Sequence, residues 1–317
     1  MKIMHFFPNS SGISFLKSFQ KYLQLTYAGV YFCYDKSAMF LSDLSVRPNE
    51  TDIIIFTAHG TEDSIIGDRV KGTEVILTKE SLSDLMHSFI FAFSCSTGAL
   101  GERLCSEYNA ISYIGFNDII DLSVKSANTS FKSELSTILK SIYNQALQKS
   151  FNTFIMENYD VGQLARLISL NLKRSFSMLL SLNSSQLSSQ YSLSTRVTEN
   201  PIFLRKLHSD LLTTVDSVRS RIITHGEEGF VPWEFIREPK KIKEIIRKLE
   251  NVKFSVRNEY YRFFLLSRLY YLDGRVNEFK QAYRIAFSLF PDYEPLKTLP
   301  IIADEGESAQ FSETEIV

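Results

Sequence analysis

The sequence predicts an α/β domain followed by an all-α domain. Within the first 120 residues, five short runs rich in Ile, Phe, Val and Tyr are separated by stretches of helical or turn character. The runs are nearly continuous in apolar residues, as in strands that helices cover on both faces. After Ala127 the apolar residues recur at helical spacing instead. We therefore expect a three-layer sandwich around a mostly parallel sheet, followed by helices.

The five apolar runs are the predicted strands, at residues 3–7, 30–34, 52–56, 89–93 and 111–114. Apolar residues at helical spacing predict a helix between the first two runs, from Ile13 to Leu23. A hairpin at 64–77 and a helix at 79–87 are predicted before the fourth run, and a helix at 99–108 after it. This alternation of strands and helices is typical of right-handed crossover connections.

The chain is predicted to divide into an α/β domain at 1–180, a Ser-rich boundary at 181–200 and a helical domain at 201–302. The boundary is expected to be a frayed helix end or a loop, because its apolar periodicity is weak. Residues 303–317 carry five acidic side chains and no basic one, a composition that predicts a disordered tail.

One segment of the predicted helical domain has the spacing of a tetratricopeptide unit, with Asp273-Gly274 at the turn between two helices. Phe279 stands where that repeat has a small residue, so a generic helical pair fits the segment equally well. The residues at the repeat spacing are Phe263, Leu266, Ser267, Tyr270, Tyr283, Ala286 and Pro291.

Composition excludes several function classes. The 317 residues are 44% apolar and 22% charged, with a formal net charge of −1, so no general attraction to nucleic acid or anionic membrane is expected. No apolar run has the length of a membrane span, and the first is interrupted at Pro8, too early for a signal peptide. The basic stretch 240–248 lies over an isoleucine stripe and is interpreted as a solvated helix face. We expect a cytoplasmic protein.

Three cysteines are present, Cys33, Cys95 and Cys105. An odd number without a secretory signal argues against a disulfide framework, and no CxxC or His/Cys cluster has zinc spacing. No glycine-rich nucleotide motif occurs either. No metal and no cofactor are therefore expected.

Two of the predicted strands end in reactive side chains. His59-Gly60 follows the third strand, and Cys95 follows the fourth. In open α/β sheets ligands bind at the carboxyl ends of strands, and adjacent strands lie about 5 Å apart. The 35 residues between His59 and Cys95 leave room for the crossover that adjacency requires. We therefore expect the imidazole and the thiol to meet at one rim of the sheet.

This pair has the chemistry of nucleophilic catalysis. The amino end of the helix after Cys95 is expected to lower the pKa of the thiol, and His59 is a candidate general acid or base. Gly60 lets its backbone N–H approach a carbonyl closely, so it and the N–H of Cys95 are candidates for an oxyanion hole. A buried structural cysteine and a His-Gly turn are the alternative interpretations. A phosphatase loop is excluded because Gly101 stands where its arginine belongs, and an α/β-hydrolase elbow because Phe93 stands where its glycine belongs.

The order of the motifs FTAHGTEDS, FAFSCSTGALGERL and ISYIGFNDIID resembles the caspase-like superfamily of cysteine peptidases, most closely its separase and CHAT branch. The resemblance covers residues 1–180 and implies a caspase-like fold and a cysteine endopeptidase without a cofactor. It implies that Cys95 is the nucleophile and His59 the acid/base. It also implies that Gly60 and Cys95 supply oxyanion N–H groups.

The same resemblance suggests a binding site for a basic side chain of the substrate. Asp118 and Asp121 follow the fifth strand, where separase has an acidic run, and a carboxylate there would select Lys or Arg. Loop-capping aspartates remain an equal alternative. The expected partners are a protein substrate and an activating protein or ligand, and analogy with the family suggests a prokaryotic defence system. The rival function is a catalytically idle scaffold that binds a protein through its helical half.

Overall fold

The computed structural model describes residues 1–47, 49–124 and 130–299. The chain divides into two compact units, Met1–Arg237 and Glu238–Val317. The first unit is α/β and contains a mostly parallel six-stranded sheet, and the described part of the second is helical. The predicted order of an α/β part and a helical part is confirmed.

Six strands form the main sheet, in the order β2-β1-β3-β7-β8-β9. The first five of these are mutually parallel, and β9 runs antiparallel to β8. All five predicted strands are present, with ends that shift by no more than two residues. The strands of both sheets are β1 (Ile3–Phe6), β2 (Tyr31–Tyr34), β3 (Ile53–Thr57), β4 (His59–Gly60), β5 (Ser64–Val70), β6 (Thr73–Thr78), β7 (Phe89–Phe93), β8 (Ser112–Phe116) and β9 (Ile222–Gly226).

Helices cover both faces of the main sheet, which explains why its central strands are continuously apolar. On one face, Phe40 of α2 and Leu104 of α3 share a buried cluster with Ile54 of β3. On the other face, α4 packs against β7, with the rings of Phe91 and Phe151 5.1 Å apart. The helices of the first unit are α1 (Lys17–Thr26), α2 (Ser37–Ser45), α3 (Gly98–Glu107), α4 (Lys132–Met156), α5 (Val161–Leu180), α6 (Ser184–Tyr191), α7 (Thr195–Thr198), α8 (Pro201–His208) and α9 (Asp210–Arg219).

The predicted hairpin at 64–77 is confirmed as β5 and β6, which with β4 form a second, three-stranded antiparallel sheet. The helix predicted at 79–87 is wrong: only a 3-10 turn at Ser83–Leu85 forms there. His87 takes a left-handed backbone angle, φ 63°, which ends any helical course before β7.

The division between the two units differs from the predicted boundary at 181–200. That stretch contains α6, which begins at a capping box in which Asn183 and Gln186 bind each other's backbone N–H. Three more α-helices, α7 to α9, and then β9 follow α6 within the first unit. Local periodicity predicts a helical domain here because the pairing of β9 with β8, more than 100 positions away, is beyond its reach.

The described part of the second unit, residues 238–299, contains helices and no strand. The predicted helical pair is confirmed as α11 and α12, with the backbone of Gly274 at φ 74° in the turn between them. Phe279 of α12 is buried, and its ring lies 5.5 Å from that of Tyr271 on α11. The predicted acidic tail, 303–317, lies outside the described residues. The helices are α10 (Pro239–Asn251), α11 (Glu259–Leu272), α12 (Val276–Leu289) and α13 (Glu294–Lys297).

None of the helices within the described ranges combines the length and the apolar character that crossing a bilayer requires.

Candidate functional site

The register of the main sheet brings the two motif residues to one rim. Strands β3 and β7 are adjacent and parallel, and each residue of β3 pairs with the residue 36 positions later, from Ile53 with Phe89 to Thr57 with Phe93. The same offset separates His59 from Cys95. His59 and Cys95 therefore each lie two residues after the last paired residue of their strand. The predicted adjacency of the two strands is confirmed.

Gly60 lies directly against the turn that carries Cys95. A methyl group on its Cα would be 2.8 Å from the carbonyl oxygen of Cys95, 2.4 Å from Cγ2 of Thr97 and 3.1 Å from Cβ of Ser94. No side chain fits in that space, so the glycine is what allows the two strand ends to touch. The predicted oxyanion residues Gly60 and Cys95 are thus neighbours through their main chains.

Hydrogen bonds of buried side chains hold the turn at residues 94–97, called here the cysteine turn. Thr97 is fully buried, and its hydroxyl donates to the carbonyl of Ser94 at 3.2 Å. Tyr113 of β8 donates in turn to Oγ1 of Thr97 at 2.7 Å. Ser96 takes a left-handed φ of 56°, which turns the chain sharply between β7 and α3. These bonds fix the main chain on both sides of Cys95.

The imidazole of His59 is oriented by the loop after β1. Its Nε2 lies 2.6 Å from the carbonyl oxygen of Ser11. A carbonyl only accepts, so Nε2 carries the proton and Nδ1 is the free nitrogen of the neutral ring. Gly12, with φ 90°, packs beside the ring: a methyl group there would lie 3.3 Å from Cε1 of His59. His59 is half-buried, so the ring is held while one side stays open to solvent.

The thiol of Cys95 is half-buried, and its sulfur accepts a hydrogen bond from the backbone. The N–H of Ile120 donates to Sγ at 3.3 Å. Burial raises the pKa of the thiol, the Ile120 N–H lowers it, the carboxylates of Asp121 and Asp118 raise it, and Arg221 lowers it. The net direction is upward. This direction is opposite to the expected lowering by the helix amino end, and burial of the sulfur is its largest cause.

The two predicted carboxylates follow β8 and differ in exposure. The side chain of Asp118 is 56% exposed, whereas that of Asp121 is 8% exposed. Both are paired with Arg221: Nη1 donates to Oδ2 of Asp121 at 3.0 Å, and Nε lies 3.4 Å from Oδ2 of Asp118. Both carboxylates interact electrostatically with Cys95, but they already pair with a guanidinium of the same chain.

Three contributors to the site were absent from the sequence interpretation: Ser11, Ile120 and Arg221. Ser11 and Ile120 act through backbone atoms, which carry no signal in residue type. Arg221 comes from the segment before β9, more than 100 positions after Asp118. For Ser11 one signal was available, the polar turn that follows the first strand and contains Gly12.

The other two cysteines lie away from this rim. Cys33 is an exposed residue of β2, the edge strand of the main sheet. Cys105 lies on α3 beside the core cluster, where burial raises the pKa of its thiol to about 12. Within the described ranges, no group of three or more His, Cys, Asp or Glu side chains is placed to hold a metal ion.

A scan against models of known protein families found no match to the chain, and a search of curated proteins found none either. The resemblance to the caspase-like superfamily rests on the motifs around His59 and Cys95 themselves.

Proposed function

We propose that this chain is a cysteine endopeptidase that hydrolyses a peptide bond of a protein substrate with His59 and Cys95. One observation carries the proposal: residues at the same offset past two adjacent parallel strands bring an oriented imidazole and a thiol to one rim of the sheet. The close contact of Gly60 with the Cys95 main chain supports it, because two N–H donors of an oxyanion hole must lie close together.

The orientation of His59 suggests its role at each step. With the proton on Nε2, Nδ1 accepts the thiol proton of Cys95 as the sulfur attacks the substrate carbonyl. The N–H groups of Gly60 and Cys95 stabilise the oxyanion. The imidazolium then gives its proton to the leaving amine, and a thioester remains on Cys95. Water hydrolyses this thioester, its proton passing to His59, and restores the thiol.

The raised pKa of the Cys95 thiol favours base-assisted attack over a resting ion pair. A thiol that is mostly protonated needs a base beside it to attack a carbonyl, and His59 is the proposed base. Control by an activating protein or ligand is part of the proposal on the strength of the family resemblance alone.

For substrate preference we propose Asp118 as the carboxylate that binds a lysine or arginine before the cut. Its side chain is the exposed one of the pair, whereas Asp121 is buried on Arg221. The substrate cation would share Asp118 with Arg221, whose Nε is 3.4 Å away. A charge-assisted bond at a half-open rim suits a long basic side chain.

A peptide library that varies the residue before the cut tests activity and preference together. We expect the wild type to cut after Lys and Arg, and Asp118→Asn to cut these sites about tenfold more slowly, the effect of losing about 1.4 kcal/mol of transition-state binding. Mass spectrometry of the products gives both the sites and the rates. Asp292→Asn, the same substitution at an exposed acid of the second unit, is the matched control. Equal rates for Asp118→Asn and wild type at basic sites would remove Asp118 from substrate recognition.

The rival function, an idle scaffold, is favoured by the half-buried thiol that the Ile120 N–H already occupies. A peptidyl chloromethyl ketone with lysine at its reactive end separates the two functions. In an enzyme, Sγ displaces chloride to form a thioether while His59 takes the thiol proton. We expect selective modification of Cys95, slowed about 100-fold in His59→Ala. Modification of the exposed Cys33 at the same rate as Cys95 would favour the scaffold.

A further inference from the structure

The segment 117–124 after β8, called here the β8 loop, lies on the cysteine turn. The N–H of Ile120 donates to Sγ of Cys95, and the N–H of Ser96 donates to the carbonyl of Asp118 at 3.1 Å. Ile120 itself is buried. The residues that hold the β8 loop in place therefore also set the position of the Ile120 N–H relative to the Cys95 sulfur.

Arg221 holds this loop at several points. Its guanidinium donates to the carbonyl of Ile119 and to the carboxylate of Asp121. Its own carbonyl accepts the N–H of Asn117 at 3.0 Å. The pairing of β9 with β8, which aligns Phe116 with the residue after Arg221, brings the arginine to this position.

A second anchor comes from α4. The hydroxyl of Tyr143 donates to the carbonyl of Asp121 at 2.6 Å, and burial raises the pKa of this phenol so that it stays a donor. Tyr143 contacts the loop backbone and leaves the loop carboxylates to other partners. Arg221 is the residue that combines a backbone anchor with a charge opposite to theirs.

The charges around Sγ show why this matters. Asp118, Asp121, Arg221 and Tyr143 all interact electrostatically with Cys95, and His59 follows the adjacent strand end. A thiolate at Cys95 would face two carboxylates, and one guanidinium offsets part of their repulsion. Removing the guanidinium would leave both carboxylates beside the nascent thiolate, the arrangement that most disfavours it.

We propose that Arg221 is a positioning residue for Cys95: it fixes the β8 loop so that the Ile120 N–H meets the sulfur, and it balances the two carboxylates that border it. The catalytic value of this role rests on the proposed function. The effect of Arg221 on the pKa of the Cys95 thiol follows from the contacts alone. Arg221 touches neither substrate nor the reacting sulfur in this scheme.

The test is the pH dependence of Cys95 alkylation by iodoacetamide in the full chain, followed residue by residue with mass spectrometry. In Arg221→Gln the midpoint for Cys95 should rise by about one pH unit, the size expected on losing a nearby opposite charge. Arg221→Lys, which keeps the charge but not the fork, should restore part of the shift. Adding Asp118→Asn and Asp121→Asn to Arg221→Gln should bring the midpoint back down.

Cys33, an exposed thiol on β2, is the internal control, and its profile should be the same in every variant. An unchanged Cys95 midpoint in folded Arg221→Gln, checked by near-ultraviolet circular dichroism, would overturn the proposal. If Arg221→Gln does not fold, the double variant Asp118→Asn/Asp121→Asn, which keeps Arg221, is the test. The pH midpoint of its Cys95 alkylation should fall below that of the wild type. A midpoint that stays the same or rises would overturn the proposal. None of these readouts needs peptide hydrolysis, so failure of the peptidase proposal and failure of this one are distinguishable.

Discussion

Replacing Cys95 by alanine should abolish peptide hydrolysis and leave the fold unchanged. The side chain is half-buried at the rim, and its removal deletes the sulfur that forms the covalent intermediate. Loss of a nucleophile from such a unit lowers the turnover by a factor on the order of 10⁵ or more. The measurement is co-expression of wild type or Cys95→Ala with candidate partner proteins, followed by mapping of new amino termini.

Cys33→Ala is the matched control, because it removes a thiol from the exposed edge strand and should retain full activity. Thermal unfolding of both variants should stay close to that of the wild type. Cleavage that persists at the same sites in Cys95→Ala would refute the nucleophile assignment and, with it, the peptidase proposal.

Gly60→Ala should produce the second large effect. The added methyl group would meet Cγ2 of Thr97 at 2.4 Å and the carbonyl oxygen of Cys95 at 2.8 Å. Thr97 is fixed by its bonds in the turn, so the Cys95 main chain has to move. A shift of about 1 Å at a reacting group lowers catalysis about 100-fold, and overpacking of this kind costs about 1–3 kcal/mol of stability.

Gly29→Ala is a clean comparison, because no atom lies within 4 Å of a methyl group placed there. Its hydrolysis rate and its free energy of unfolding should match those of the wild type. Both variants are compared by urea unfolding and by initial rates on the same peptide. A Gly60→Ala protein with wild-type rates would show that the contact between the two strand ends has no part in the chemistry.

Local patterns in the sequence were enough to predict the centre of the fold. The strands β1, β3, β7 and β8 are almost entirely buried, so their residues had to be continuously apolar and were recognisable as such. The two polar motifs stood out against that background because each directly follows a buried strand. Their meeting at one rim followed from the rule that adjacent parallel strands end on the same side of the sheet.

Other parts of the site depend on contacts between distant residues. The edge strand β9 is only partly buried and has no apolar run long enough to be recognised among helices. Because β9 pairs with β8, the segment up to Arg237 belongs to the first unit, whereas the predicted boundary lies at 181–200. The helix expected at 79–87 failed for a local reason, because apolar spacing there did not reveal the left-handed turn at His87.

The sequence by itself determined which side chains could carry chemistry and which end of the sheet they would occupy, because buried strands are recognisable from short-range patterns of apolar residues and parallel strands end at the same edge of a sheet. Only the tertiary structure decided the state of those side chains. Ser11 orients the His59 ring, the Ile120 N–H donates to the Cys95 sulfur, and Arg221 pairs with two aspartates. These contacts join residues that are 25 to 103 positions apart in the sequence. Such contacts set the protonation and accessibility of a group through distance and burial, which residue order alone does not contain.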